Sequence, residues 1–189
     1  MISNRIKGSK KRFFPNILTI ANMFFGFLSI IKIMQGDYYN AGLFILLAGF
    51  LDIFDGKIAR LLGISSKFGV EFDSLADTVS FCVAPSFLVY NLYSGNLPFI
   101  LGAIISFIPL ICGTVRLAKF NLDTDENGHK NYFIGLSTPI STVTILAYMY
   151  FNNYTIEKGY YGDPDFALAL VVILGILMLS PIPFPKVPL

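Results

Sequence analysis

Cysteine, histidine and charge are all scarce in this chain of 189 residues. Its two cysteines, Cys82 and Cys112, lie in apolar runs, which excludes a disulfide framework and a cysteine-based zinc site. The single histidine, His129, excludes histidine-cluster chemistry. Charged residues make up 14% of the chain, against about 25% in an ordinary soluble domain. Hydrophobic residues make up 54%, and mean hydropathy is +0.66. Intrinsic disorder is excluded, and a soluble globular fold is not expected. A net charge of +2 is too small for a nucleic-acid binder. The length suits one domain, and no repeat or second domain is visible. The expectation is a single membrane domain over 1–189, with a basic juxtamembrane segment at 1–14 and a proline-rich tail at 181–189.

What is present is a series of charge-free runs: 13–31, 38–51, 78–115, 131–156 and 166–185. A spanning helix needs about 20 predominantly apolar residues. The run at 78–115 is long enough for two spans, and Tyr93-Ser94-Gly95-Asn96-Leu97-Pro98 reads as the turn between them. The pattern predicts an all-α polytopic membrane protein with six transmembrane helices, near 15–34, 39–62, 70–93, 98–120, 134–152 and 165–180. With the N-terminus inside, twelve of the fourteen Lys and Arg fall on inner segments, and only Lys32 and Lys158 fall outside. This bias predicts cytoplasmic N- and C-termini in the cell membrane. The first twelve residues are basic and lack the form of a cleavable signal. They suit a topology signal or an interfacial helix on anionic lipid. Four prolines between Pro181 and Pro188 exclude a helix in the tail.

Acids concentrate in two of these helices. Asp52, Asp55, Gly56, Ala59 and Arg60 share one helical face, and Gly69, Asp73 and Asp77 share a face of the next. The short linker between the helices makes them antiparallel neighbours, so the acidic faces meet near the cytoplasmic side. Four carboxylates in low dielectric repel one another and need counter-charge. One arginine cannot neutralise four acids, whereas one or two divalent cations can. Carboxylate-only ligation points to Mg²⁺, Mn²⁺ or Ca²⁺, and Mg²⁺ keeps positions open for substrate phosphates. Gly56, Ala59 and Gly69 leave room for a ligand or another backbone, though small residues also serve plain helix packing. Arg60 suits a forked contact to phosphate, or an interfacial anchor.

The run Asp55-Gly56-x2-Ala59-Arg60-x8-Gly69-x3-Asp73-x3-Asp77, with Asp52 three residues earlier, resembles the signature of the CDP-alcohol phosphotransferases. All seven fixed positions match. Residues 13–145 further resemble the phosphatidylserine synthase branch. The matching pieces are Pro15-Asn16-x2-Thr19-x2-Asn22, the stretch from Asp73 to Pro85, Cys112-Gly113-x2-Arg116-Leu117-Ala118-Lys119-Phe120-Asn121, and Phe133-x-Gly135-Leu136-x2-Pro139. Ser137 stands where that branch more often has proline. The resemblance implies a six-helix homodimeric membrane enzyme that moves a phosphatidyl-type group from a CDP-lipid to an alcohol and releases CMP. It implies Asp52, Asp55 and Asp73 around one metal, and Asp52, Asp73 and Asp77 around a second. It also implies Gly56 and Ala59 against the CDP, Arg60 balancing charge nearby, and Asp77 as the base. For this branch the acceptor is L-serine.

A serine acceptor needs a cation for its carboxylate. Arg116 is the first candidate, with Lys119 and Asn121 near the same helix end, while Ser80 lies one turn beyond Asp77. The competing roles are a topology anchor for Arg116 and a backbone-bonded hydroxyl for Ser80. Asn16 and Thr19 suit the nucleotide or a helix cap. Three other readings stay open: the same chemistry with glycerol 3-phosphate or inositol phosphate, a divalent-cation transporter, and a catalytically dead scaffold. No protein nucleophile is apparent, because neither Ser74 nor Ser80 has a histidine partner.

Overall fold

A computed structural model describes the backbone of residues 2–62, 67–127, 132–156 and 158–185, and the side chains of 17–58, 68–122, 135–156 and 158–182. The elements in order are α1 (Ile2–Met34), α2 (Tyr38–Leu62), α3 (Lys67–Asp77), a π-helix (Thr78–Val83), α4 (Ala84–Tyr93), α5 (Phe99–Asn127), β1 (Tyr132–Ile134), α6 (Thr138–Thr155), α7 (Pro164–Leu179) and β2 (Pro183–Pro185). The segments α3, π and α4 follow without a break, so the long apolar run divides at 94–98 as expected. Ile17–Met34, Phe68–Tyr93 and Phe99–Leu122 are long and apolar enough to cross a membrane, and Pro164–Leu179 is a shorter apolar helix. The chain is a polytopic membrane protein built from helices.

Two expected boundaries change. The first helix starts at Ile2, not near 15, and the five Lys and Arg of the N-terminal stretch, which are good helix formers, continue the span. Pro15, Asn16 and Thr19 therefore lie inside α1, and helix capping is not their role. The helix expected from 134 starts at Thr138. Ser137 is its N-cap, with extended backbone and a side chain that accepts from the Ile140 N–H at 3.4 Å, and Pro139 fits the first turn. Ser137 thus supplies a cap at the position where the branch pattern more often has proline.

Strict all-α character also fails at one place. β1 and β2 pair antiparallel, with Phe133 opposite Phe184. The tail residues 183–185 are extended, in keeping with their prolines. Gly135, at φ 78°, turns the chain out of β1. A Cβ there would lie 2.3 Å from the Met178 carbonyl oxygen, so the position requires glycine for space as well as for conformation.

The rod formed by α3, the π-helix and α4 is the axis of the molecule. Phe81 and Leu88 pack with Ile33 and Ile45 on one side and with Leu146 and Met149 on another. Val89 and Tyr93 pack with Ile145, Leu168, Val171 and Leu174. Both clusters occupy the half of the rod beyond Asp77. The apolar half holds the bundle together, and the acid-bearing half is left to α1, α2 and α5.

Candidate active site

Helical spacing puts Asp73 and Asp77 one turn apart on α3, and Asp52 comes from α2. One carboxylate oxygen from each of the three lies within 4.8 Å of the other two. Asp52 and Asp73 are half-buried, and Asp77 is buried. Three like charges at this separation repel strongly unless something positive joins them.

The fourth expected ligand, Asp55, is turned toward α1. Its Oδ2 accepts a hydrogen bond from the Thr19 hydroxyl, and its Oδ1 is buried without a hydrogen-bond partner. One turn further along α1, Asn22 Nδ2 donates to Asp77 Oδ1 at 3.2 Å. Asn22 is fully buried, and its own Oδ1 has no partner. Ser80 Oγ donates to the Asn22 carbonyl at 3.0 Å, which fastens the π-helix to α1. The approach is close because of Gly26, where a Cβ would meet Ser80 Cα at 2.8 Å. Thus α1 supplies two neutral donors, three residues apart, to acids on two other helices. Each donor orients a carboxylate and leaves its charge in place.

The donor set fits a hard divalent cation. Every candidate ligand is a carboxylate oxygen, with no histidine or thiolate among them. Oxygens on opposite sides of Mg²⁺ stand about 4.2 Å apart, and on opposite sides of Ca²⁺ about 5 Å. The 4.8 Å limit of the trio falls between these values. The unpartnered Oδ1 of Asp55 is a further buried acceptor beside the trio, and an unmet buried acceptor is costly.

Arg116 of α5 is buried and close enough to Asp77 for electrostatic attraction. Its Nη1 donates to Thr138 Oγ1 at 3.4 Å, and its Nε has no hydrogen-bond partner. Thr138 opens α6, so the first turn of that helix faces the arginine.

The other expected residues divide. Gly56 is exposed and Gly69 half-buried, so both lie where a ligand can approach. Lys119 is exposed. Asn121 Nδ2 donates to Ser74 Oγ at 3.0 Å and Glu71 Oε2 at 3.3 Å, which ties α5 to α3. Ser80 is held on the Asn22 carbonyl. The side chains of Asn16, Ala59 and Arg60 lie outside the described residues. Sequence reasoning left Asn22 and Thr138 without a role. A polar pair at 19 and 22 inside an apolar helix was the available signal for Asn22, since such residues are costly in a span.

A profile described as CDP-alcohol phosphatidyltransferase matches residues 12–182. The chain belongs to that family. It is similar to the CDP-diacylglycerol–serine O-phosphatidyltransferase of Helicobacter pylori, with 36% identity over 92% of this chain and 72% of the relative. The enzyme of the same name from Bacillus subtilis is 38% identical over 92% of this chain and 90% of the relative. The archaetidylserine synthase of Methanothermobacter thermautotrophicus is 34% identical over 92% of this chain and 70% of its own length. The acids of α2 and α3 lie inside the stretch that the family profile covers.

Proposed function

We propose that this chain transfers a phosphatidyl-type group from a CDP-lipid to the hydroxyl of L-serine and releases CMP. The product is phosphatidylserine, or its archaeal analogue. The observation that carries this reading is the carboxylate trio of Asp52, Asp73 and Asp77 within a chain of this family. The serine acceptor is supported by relatives named for serine transfer that align over most of the chain. Diacylglycerol and archaeol donors present the same CDP head to these residues.

Asp52, Asp73 and Asp77, with Asp55 through its Oδ1, would hold one or two divalent cations, Mg²⁺ or Mn²⁺, with Ca²⁺ as a further occupant. A bound cation of this kind offsets the charge of the diphosphate and of the departing CMP. The chain's own residues do the rest. Asp77 accepts the proton of the serine hydroxyl as the oxygen attacks the lipid-side phosphorus. A bond forms from serine oxygen to phosphorus, and the bond from phosphorus to the CMP oxygen breaks. Asn22 keeps the Asp77 carboxylate oriented from behind. Arg116, held on Thr138, receives the serine carboxylate, and Lys119 adds positive charge at the rim. Gly56, Ala59 and Gly69 let the CDP lie close to the helices, with Arg60, Asn16 and Thr19 on its margin. Thr19 does this through Asp55. Ser80 and Asn121 brace α1 and α5 against the acid-bearing rod.

The whole chain acts as one membrane domain with six spans, its termini and acids on the cytoplasmic side, and it works as a homodimer. Twelve of fourteen basic residues on one side support that orientation. The test is CMP release by the purified protein with CDP-diacylglycerol. Release is expected to need both serine and Mg²⁺ or Mn²⁺. Release with glycerol 3-phosphate or inositol phosphate in place of serine would overturn the acceptor assignment.

A further inference from the structure

The cytoplasmic chemistry leaves the opposite end of the bundle without a role, and that end contains a cleft. It has a volume of about 750 Å³ and lies between the start of α2 and the end of α6. Tyr39 and Tyr150 form one wall, with their rings edge to face at 5.1 Å and the Tyr150 hydroxyl donating to the Tyr39 carbonyl at 2.8 Å. Leu43 and Leu46 form an apolar floor along α2, and both are more than a third exposed. Asn153 and Lys158 stand at the mouth. Tyr39 precedes Asp52 by thirteen residues, about 20 Å of helix, so this cleft is separate from the acids.

The charges at this end single out Lys158. Lys32 and Lys158 are the two basic residues that depart from the inward bias. Lys32 is paired with Asp37 at 3.1 Å. Asp163 caps α7 by accepting from the Phe166 N–H at 3.0 Å, and Asp165 sits in the first turn of that helix, where negative charge is favoured. Among the described residues, Lys158 makes no ion pair and is the one charged group lining the cleft. The side-chain amide of Asn153 makes no hydrogen bond among them either. The mouth therefore offers an ammonium and an amide above an apolar floor. Its shape and donors match a molecule with an acceptor-only anion on an aliphatic chain.

We propose that this cleft binds an anionic phospholipid of the bilayer, its phosphate on Lys158 and Asn153 and one acyl chain along Leu43 and Leu46. The volume falls within the range of small-molecule sites, about 300–1,000 Å³. Basic pockets between membrane helices bind lipid head groups through the same pairing of charge. The tyrosines suit the interfacial level, where an aromatic ring meets water at one edge.

The chain has no tryptophan, so a single one reports on its own surroundings. Leu43→Trp places the reporter on the cleft floor. Phe107→Trp, on the exposed face of α5, reports the ordinary lipid annulus. The full chain is reconstituted in phosphatidylcholine bilayers that contain a small fraction of acyl-brominated phosphatidylglycerol or acyl-brominated phosphatidylcholine. Quenching at Leu43→Trp is expected at about fivefold lower brominated phosphatidylglycerol than phosphatidylcholine, the effect of one basic residue near an anionic head group. At Phe107→Trp the two lipids should quench alike. Lys158→Gln should remove the preference at the cleft, and Lys158→Arg should keep it, with CMP release unchanged in both. Equal quenching by the two lipids at Leu43→Trp would reduce the cleft to annulus and overturn the proposal. A preference that survives Lys158→Gln would do the same. Failure of both lipids to quench, with α2 and α6 cross-linking between copies, would assign the cleft to a dimer interface instead.

Discussion

Aspartate is treated in two opposite ways at the two ends of α2. At the turn before it, Asp37 is matched on every side. Lys32 Nζ lies 3.1 Å from its Oδ2, and Asn40 Nδ2 donates to both its oxygens, at 3.0 and 2.9 Å. At the far end, the carboxylates of Asp52, Asp73 and Asp77 crowd together, and among the described residues the hydrogen bonds that reach the acids come from neutral groups on α1, while Arg116 attracts Asp77 without bonding it. A charged partner cancels an acid, and a neutral donor only aims it. The first arrangement closes a turn, and the second keeps negative charge available for a ligand. Charge in excess of its ion pairs beside apolar helices is expensive, so its persistence at one end, among the described residues, marks the working end.

Removing a single charge from the pool should have the largest effect. Asp77→Asn keeps the shape of the side chain and an oxygen to accept from Asn22, but it removes the base. CMP release should fall by about 10²–10⁴-fold, the usual worth of a positioned general base. An unchanged rate would move the base elsewhere and would also break the contrast between the two ends. The aiming of charge is tested next. Asn22→Leu preserves volume and removes the donor to Asp77. Partners behind metal ligands typically matter by about 10–100-fold, so Mn²⁺ affinity, read by electron paramagnetic resonance, and CMP release should both drop by that order. Thr19→Val should act in the same direction through Asp55.

A smaller effect is expected where the working end holds a purely local device. Ser137 caps the helix that carries Thr138, the partner of Arg116. Ser137→Ala should lower stability by about 1 kcal/mol, measured by thermal unfolding in detergent, because one N–H of the first turn loses its acceptor. Any rise in KM for serine beyond that would mean that the cap also sets the position of Arg116.

The parts of the molecule legible in the sequence are those governed by regular spacing. The apolar runs defined the helices, and Ser94–Pro98 marked the break between α4 and α5. The positions 73 and 77 fall on one face by helical geometry alone, and 52 can join them because the linker is short. Contacts between distant elements were not legible. Tyr132–Ile134 and Pro183–Pro185 pair across about fifty residues, and a proline-rich tail gives little sign of a strand. Nothing in the local sequence around Asn121 says that it bonds Ser74 and Glu71. Ser80, one turn from Asp77, looked available to a substrate, but its hydroxyl meets the Asn22 carbonyl because the wide π turn and Gly26 bring α1 close. Spacing shows which residues share a face. It does not show which neighbouring helix that face meets.

The weakest expected response lies at the balanced end, and its sign is fixed. The Asn40 amide, first, and then Lys32 hold the Asp37 carboxyl below the usual carboxylate range. A carboxyl depressed in the folded state stabilises the fold above its unfolded pKa and loses that contribution as pH falls through the folded value. The turn between α1 and α2 should therefore be indifferent to pH from neutrality to about 5, and should loosen only below about pH 4. Hydrogen exchange at the Ala41 amide, which donates to the Asp37 carbonyl at 3.0 Å, reads that loosening locally. Asn40→Ala should raise the pH at which exchange accelerates, since it removes the larger cause of the depression. Asp37→Asn should abolish the acid response, leaving exchange uniformly faster. An acid response that persisted in Asp37→Asn would mean that the turn is held from elsewhere, and the pairing at this end would then be incidental to its closure.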